Sequence, residues 1–121
     1  MQVYVPLNTP ATYDGTKTFA RGLAQVLERR HPELVVSDMK KTLRHGKVLV
    51  DWSQNDEHKT TVNVYSLRAR ERPTVSTPIT WDEVEAGDLS FEQHEVLERV
   101  ARDGDLFAPV LTLTQELPRF G

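Results

Sequence analysis

Residues 46–55, with the sequence GKVLVDWSQN, bring together residue types that can bind a metal ion. The apolar, β-branched residues 48–50 are typical of a strand, and Asp51 follows them directly. A strand holds the backbone at its end firmly, and carboxylate oxygens suit Mg²⁺ or Mn²⁺. Aspartate at a strand end is also ordinary turn chemistry. The spacing by itself therefore leaves two interpretations of Asp51 open, a metal ligand and a solvated turn residue.

A run of basic side chains lies just ahead of Asp51, with no acidic residue among them. It consists of Lys40, Lys41, Arg44, His45 and Lys47. Lys and Arg donors match phosphate oxygens, so the run can be interpreted as a cradle for the phosphates of a nucleotide. Most charge clusters are instead solvated loops. The residues alone favour neither interpretation, and they predict no role for His45.

The elements that must position these residues follow from the periodicity of the sequence. Alternating apolar and polar residues predict a strand over residues 2–7. Apolar residues at helical spacing predict a helix from Tyr13 to about Arg30, capped by Thr12 and ended by the following proline. A short apolar strand follows at residues 34–36.

Two longer strands, residues 47–53 and 60–68, are separated by a short polar connection, which predicts an antiparallel hairpin. In the register that pairs Asp51 with Val62, Arg68 shares the face of Asp51 but lies roughly 20 Å further along the sheet. Arg68 is therefore too far away to bind the same metal ion. It is placed to reach the sugar or base of a nucleotide, or a template strand.

The last third of the chain predicts two further helices. Thr80 caps a short helix over residues 81–85, and Ser90 with Gln93 forms a capping-box pattern at the start of a second helix. That helix ends at residues 103–104, where a glycine permits the turn.

Two groups of carboxylates resemble catalytic or metal-binding pairs but have simpler interpretations. Asp82, Glu83 and Glu85 lie in the predicted first turn of a helix, where acidic residues compensate the helix dipole. Asp103 and Asp105 lie two residues apart, but they follow a helix end and are interpreted as cap and turn residues.

The order of the elements predicts an α+β fold, with a largely antiparallel sheet and two main helices packed on it. The chain has 121 residues, enough for one compact domain. Its net charge of −3 argues against whole-surface affinity for nucleic acid, so such contacts require a local basic patch. The lack of cysteine excludes disulfides and thiolate metal sites, and no apolar run is long enough to span a membrane.

Several motifs follow one another along the chain in a recognisable order. They are QVYVPL, TYDGTKTFA, LVVSDMKK, VLVDWSQN, KTTVNVYSLRAR, VSTPITWDEVE and RDGDLF. Together they resemble the second half of the polymerase domain of bacterial ligase D, an end-joining repair enzyme of the archaeo-eukaryotic primase superfamily. The resemblance extends from about Gln2 to about Phe107.

The resemblance implies that residues 1–111 are the RRM-like half of a primase-polymerase domain and that residues 112–121 are a tail. It implies a template-dependent nucleotidyltransferase that uses Mn²⁺ or Mg²⁺ in non-homologous end joining. Asp51 matches the third carboxylate of the metal site. The positions that match the surroundings of the nucleotide are Arg44, Gln54 and Arg68. The expected contacts to phosphate or DNA are Lys40, Lys41 and Lys47.

In the family, an Asp-x-Asp metal motif and a Gly-Lys phosphate motif precede the first strand. No Asp-x-Asp occurs ahead of the first helix of this sequence, and the phosphate motif is absent ahead of its first strand. We therefore expect an incomplete active site and no activity of the chain alone. The alternative is a non-catalytic module that binds DNA ends or a partner. The implied partners are nucleoside triphosphates, DNA ends, the ligase domain and a Ku-type end-binding protein, at the nucleoid in the cytoplasm and not at a membrane. We also expect the exposed first strand to mediate a homodimer.

Overall fold

The computed structural model describes residues 1–38, 45–87 and 89–118. In chain order, the elements within these residues are α1 (Tyr13–Arg30), β1 (Val35–Val36), β2 (Val48–Leu49), β3 (Leu67–Arg68), β4 (Thr74–Val75), α2 (Trp81–Ala86), α3 (Gln93–Asp103) and a 3₁₀ helix (Ala108–Leu111). The mixture of helices and strands that the sequence predicts is confirmed. No helix in the described part of the chain is long and apolar enough to cross a membrane.

Within the described ranges, the strands form two separate ladders of two strands each. β1 and β2 run parallel, with Val35 opposite Val48, and β3 and β4 run antiparallel, with Leu67 opposite Val75. The largely antiparallel sheet expected from the sequence is not confirmed by these two ladders.

The chain divides into two compact units. The α1 unit comprises the described residues from 9 to 60 together with 114–118, and it contains α1, β1 and β2. The α3 unit comprises residues 1–8 and the described residues from 61 to 113, and it contains the remaining elements. Each unit has a small apolar core. Among the residues that the structure describes, the buried apolar ones are Ala24 and Val36 in the α1 unit, and Val75 and Val96 in the α3 unit.

α1 forms because signals at both of its ends agree with its apolar stripe. The hydroxyl of Thr12 accepts a hydrogen bond from the N–H of Gly15 at 3.0 Å, as the sequence predicts for the N-cap. Acidic and basic side chains lie in the first and last turns respectively, where they oppose the helix dipole. The helix packs on β1, and Ala24 is fully buried.

A buried arginine joins α2 to α3. Arg99 is only 7% exposed, and two of its guanidinium nitrogens donate to the Glu83 carboxylate, one of them at 2.6 Å. The same guanidinium donates to the carbonyl of Pro78 at 3.1 Å and lies 5.1 Å from the centre of the Phe91 ring. Glu83 also accepts a hydrogen bond from the N–H of Thr80 and completes the capping box of α2. The interpretation of Glu83 as dipole compensation alone missed its pairing with a buried cation.

The strand predicted for residues 2–7 is not formed, so this prediction is wrong. A strand is stable when a neighbouring strand pairs with its backbone groups, and no strand in the described part of the chain does so here. Val3 and Val5 are 64% and 59% exposed. The alternating pattern therefore marks an unpaired segment in which Val3 and Val5 are exposed and Leu7 is half-buried.

The predicted hairpin around residues 54–59 is also wrong. β2 pairs with β1 instead, and residues 53–58 form successive turns. Two aspartates there accept hydrogen bonds from backbone N–H groups two residues further on, Asp51 from Ser53 and Asp56 from His58. Such local bonds compete with the ladder of a sheet, which is why the chain turns where the apolar pattern suggests a strand.

α3 begins two residues later than its predicted cap indicates. Glu92, rather than Ser90, is the N-cap, and its partner in the capping box is Glu95. The predicted end of the helix is confirmed, because Asp103 is its last residue and Gly104 follows with a φ of 74°.

We predict that replacing Glu83 with Gln will destabilise the protein, because it leaves the Arg99 guanidinium buried without a counter-charge. The free energy of unfolding at neutral pH should fall by about 2 kcal/mol, measured by urea denaturation. The exposed Glu85 of the same helix is the matched control, and Glu85→Gln should change stability by less than about 0.5 kcal/mol.

The pH dependence of the same variant gives a second measurement. Hydrogen bonds from Arg99 and from the Thr80 backbone lower the pKa of Glu83 to about 2, from an ordinary value of 4.5. Because the folded pKa is depressed, this stabilisation is present above pH 4.5 and is lost as the pH falls towards 2. Glu83→Gln should therefore lose less stability than the wild type over that interval. Equal acid sensitivity of the two proteins would contradict the pairing.

Candidate metal and nucleotide site

Asp51 lies in the α1 unit, and both of its neighbours along the chain form hydrogen bonds to β1 or to the residue that follows it. The N–H of Val50 donates to the carbonyl of Val36 at 3.1 Å, and the indole N–H of Trp52 donates to the carbonyl of Ser37 at 3.0 Å. The guanidinium of Arg21, on α1, lies 5.0 Å from the centre of a Trp52 ring, which is within cation–π distance. The backbone at Asp51 is therefore fixed on both sides.

The Asp51 carboxylate is surrounded by hydrogen-bond donors. Its Oδ1 accepts from the N–H of Ser53 at 3.0 Å and from the Ser53 hydroxyl at 2.6 Å. Its Oδ2 accepts from the side-chain amide of Gln54 at 3.4 Å. Partial burial opposes ionisation, but these bonds and the nearby charge of Lys59 together lower the pKa of Asp51 below its ordinary value of 3.8. The side chain is thus a carboxylate at neutral pH.

This geometry shows the turn that the sequence allowed and leaves the metal-ligand interpretation of Asp51 as a prediction. Two donors engage Oδ1 in a local turn, whereas Oδ2 has one long hydrogen bond and belongs to an exposed residue. An ionised carboxylate oxygen fits one ligand position of Mg²⁺ or Mn²⁺. A hard divalent cation needs six or more oxygens, so Asp51 alone could supply only a part of such a site.

The other predicted site residues have different surroundings. Gln54 contacts Asp51 through its amide, so the structure brings these two residues together. Lys47 is exposed directly ahead of β2. Arg68 is exposed in β3, opposite Thr74, and belongs to the α3 unit. The register that placed Arg68 on the face of Asp51 depended on the hairpin, and it is wrong for the same reason. Three of the predicted positions lie outside the described residues: Lys40, Lys41 and Arg44.

The turn after Asp51 is tied to α1 by an ion pair that the sequence analysis missed. The ammonium of Lys17 lies 2.8 Å from Oδ2 of Asp56. The hydrogen bond from Lys17, followed by that from the N–H of His58, lowers the pKa of Asp56. The spacing of Lys17 and Asp56 in the sequence gives no signal of this contact, because it joins a helix to a loop 39 residues later.

A second cluster of metal-ligating side chains lies at the start of α3. Ligand atoms of Glu92, His94 and Glu95 lie within 4.8 Å of one another. These atoms already have partners, since Glu95 accepts from the N–H of Glu92 at 3.0 Å and Arg72 lies 2.8 Å from Oε1 of Glu92. The cluster is explained as a helix cap with an ion pair, and we assign no metal to it.

The chain as a whole was compared with known proteins. A family profile described as "LigD, primase-polymerase domain" matches residues 1–107. The chain belongs to the LigD primase-polymerase domain family. The resemblance inferred from the sequence motifs is thereby confirmed.

Two relatives within the LigD family are similar in sequence to this chain over most of its length. It is 49% identical over 113 residues to the multifunctional non-homologous end joining protein LigD of Mycolicibacterium smegmatis, covering 91% of this chain. It is 31% identical over 121 residues to the bifunctional non-homologous end joining protein LigD of Bacillus subtilis, covering 98% of this chain. Both relatives are named as non-homologous end joining proteins. The chain spans only 15% and 20% of the lengths of these two relatives.

A solved structure gives the same result for the fold. The polymerase domain from Mycobacterium tuberculosis ligase D, solved in complex with DNA, matches with a TM-score of 0.85 and 47% sequence identity. The match covers 91% of this chain and 39% of that polymerase chain.

We predict that the isolated chain binds Mn²⁺ only weakly, because a single carboxylate supplies too few oxygen ligands. Titration calorimetry should detect no site with a micromolar dissociation constant. His94→Ala serves as a control for adventitious binding at the start of α3. A micromolar site that is lost in Asp51→Asn but retained in His94→Ala would contradict this expectation.

Proposed function

We propose that this chain supplies part of the nucleotidyltransferase site of a LigD-type primase-polymerase domain, which extends DNA ends during non-homologous end joining. The observation that carries the proposal is the ionised Asp51 carboxylate, held between two anchored residues and in contact with Gln54. Membership of the LigD family and the similarity to a polymerase domain solved with DNA support it.

Each proposed site residue has a role that suits its chemistry. Asp51 provides one oxygen ligand to a divalent cation, Mn²⁺ or Mg²⁺. Such a cation, when bound, favours the reactive form of the primer hydroxyl and neutralises charge on the triphosphate. Gln54 orients the Asp51 carboxylate and donates towards the nucleotide, for which Arg44 and Arg68 provide positive charge. The side chains proposed to contact phosphate or DNA are Lys40, Lys41 and Lys47.

The surface of the α3 unit supports the proposal that further polypeptide completes the domain. An open groove of about 660 Å³ is lined mainly by apolar side chains, among them Val3, Tyr4, Val62 and Trp81. Trp81 is 71% exposed and Val3 is 64% exposed. Apolar surface of this kind gains free energy when it is covered. Because the match covers 39% of the M. tuberculosis polymerase chain, we propose that the remainder of such a domain covers this groove.

In that assembly, residues 1–111 form the RRM-like half with a largely antiparallel sheet, and residues 112–121 form a tail. The partners proposed for the complete protein are nucleoside triphosphates, DNA ends, the ligase domain and a Ku-type end-binding protein. Its proposed location is the bacterial nucleoid, within the cytoplasm.

A second candidate function is a non-catalytic module that binds DNA ends or a partner chain. The presence of one carboxylate ligand at Asp51, too few for a metal site, favours this alternative for the chain by itself. In this case, the apolar groove would mediate a homodimer.

Primer extension tests the proposed function. The chain is mixed with, or fused to, the part of the M. tuberculosis ligase D polymerase domain that lies outside the match, and this product is called the reconstituted domain. We predict no extension by either piece alone and extension by the reconstituted domain. Asp51→Asn should lower that activity by more than about 100-fold, since even residues that only support a metal ligand cost 10–100-fold.

The control is Glu57→Gln, which removes an exposed carboxylate from the same turn region. It should leave extension within about twofold of the wild type. Equal activity of the Asp51 and Glu57 variants would exclude Asp51 from the site. A reconstituted domain that binds DNA but never extends a primer would favour the non-catalytic alternative.

A further inference from the structure

Tyr65 has a backbone conformation that bulky side chains rarely adopt. Its φ is 65°, in the left-handed region, which it shares among the described non-glycine residues only with Asn8 at 49°. Asparagine tolerates this region, whereas tyrosine there is strained and needs surrounding contacts to hold it. Tyr65 lies three residues before Arg68, one of the residues proposed to contact the nucleotide.

Two groups of contacts hold Tyr65 in this conformation. Its phenol donates to Oδ1 of Asp105 at 2.5 Å, and its N–H donates to the carbonyl of Ser76 at 2.6 Å. The same Oδ1 of Asp105 accepts from the N–H of Phe107 at 2.9 Å. Asp105 thereby connects Tyr65 to the loop that follows α3.

The conformation of Tyr65 determines where β3 begins. The N–H of Ser66 donates back to the carbonyl of Asn63 at 3.3 Å, so the chain turns at this point. The N–H of Ser76 then donates to the carbonyl of Ser66 at 2.9 Å, next to the β3–β4 ladder. That ladder places Arg68 opposite Thr74. A one-residue shift at Tyr65 would move Arg68 to the other face, because side chains alternate along a strand.

We propose that Tyr65 and Asp105 are positioning residues for Arg68. Their hydrogen bond holds the left-handed turn that sets the register of β3, and Arg68 extends from this strand towards the nucleotide or template strand. The inference rests on the proposed function, because it concerns how one residue of that site is held. Neither Tyr65 nor Asp105 needs to touch the substrate.

The ionisation of the phenol agrees with a permanent contact. Partial burial, followed by the hydrogen bond and charge of Asp105, raises the pKa of Tyr65 to about 12. The phenol therefore remains a donor across the physiological range of pH. Positioning by this contact should not depend on pH near neutrality.

The test is a double-mutant cycle on the full 121-residue chain, with binding of a 5′-phosphorylated primer–template DNA followed by fluorescence anisotropy at low salt. Arg68→Ala removes the positioned group, and Tyr65→Phe removes only the phenol oxygen. We expect Tyr65→Phe to weaken binding about three- to tenfold. The double variant should bind no more weakly than Arg68→Ala alone, since the phenol acts through Arg68.

Hydrogen exchange gives a readout that does not depend on function. The amide of Ser76, which bonds to Ser66 beside the ladder, should exchange about tenfold faster in Tyr65→Phe. Asp105→Ala should speed exchange of the Ser76 amide by a similar factor. Asp105→Asn keeps an oxygen acceptor, so exchange of this amide should remain close to the wild-type rate. Tyr13→Phe is the control, because it removes an exposed phenol oxygen from the other unit. It should leave both exchange and DNA binding unchanged.

The outcomes separate the inference from the proposed function. Additive losses in the cycle would mean that Tyr65 acts on structure in general, and this would overturn the positioning role. Wild-type exchange and binding in Tyr65→Phe would overturn it as well. If Arg68→Ala binds DNA as tightly as the wild type does, Arg68 is not part of the site and the inference fails too. The role of Asp51 is judged separately, by primer extension.

Discussion

The position of Asp51 depends on three hydrogen bonds to one short segment that includes β1. Val48, Val50 and the indole of Trp52 donate in succession to the carbonyls of Leu34, Val36 and Ser37. These bonds carry the chain past the end of β2 and leave Asp51 between two fixed neighbours. The turn that follows is tied to α1 through Asp56 and Lys17. The carboxylate is therefore held in place by the fold, so that little conformational entropy would be lost if it bound a ligand.

The two units have little apolar core to support this arrangement. The buried apolar side chains among the described residues are small, and large ones such as Trp81, Leu97 and Leu111 are mostly exposed. Polar pairs have a correspondingly large part in holding the elements together. Arg99 is the clearest case, since a buried guanidinium is stable only while Glu83 and Pro78 accept its hydrogen bonds. A protein with so much exposed apolar surface gains more stability when a partner covers that surface than a protein with a closed core does.

The sequence predicts those features that depend on neighbouring residues. α1 and its Thr12 cap follow from periodicity and local hydrogen bonding, and the family follows from motifs in a fixed order. The prediction of a hairpin after β2 is wrong because the apolar alternation does not show the hydrogen bonds that aspartates make to nearby backbone N–H groups. The prediction of a strand at residues 2–7 is wrong because a strand needs a neighbouring strand to pair with. The alternating pattern of one segment does not show whether such a neighbour exists.

Contacts between distant residues could not be predicted from the sequence. Glu83 and Arg99 are 16 residues apart, and Tyr65 and Asp105 are 40 apart, so neither spacing identifies its partner. The sequence does not predict the conformation of Tyr65 either, because tyrosine has no preference for a positive φ. For the candidate site, the sequence identified Asp51 and Gln54, but their contact depends on the turn that replaced the predicted hairpin.

The central claim is that Asp51 becomes a metal ligand once the domain is complete. Paramagnetic broadening of amide resonances by Mn²⁺, with the 121-residue chain isotopically labelled inside the reconstituted domain, tests this directly. We predict that the amides of Ser53 and Gln54 broaden at substoichiometric Mn²⁺ and that Asp51→Asn abolishes the effect. Broadening confined to His94 and Glu95, or unchanged broadening near Ser53 in Asp51→Asn, would contradict the claim.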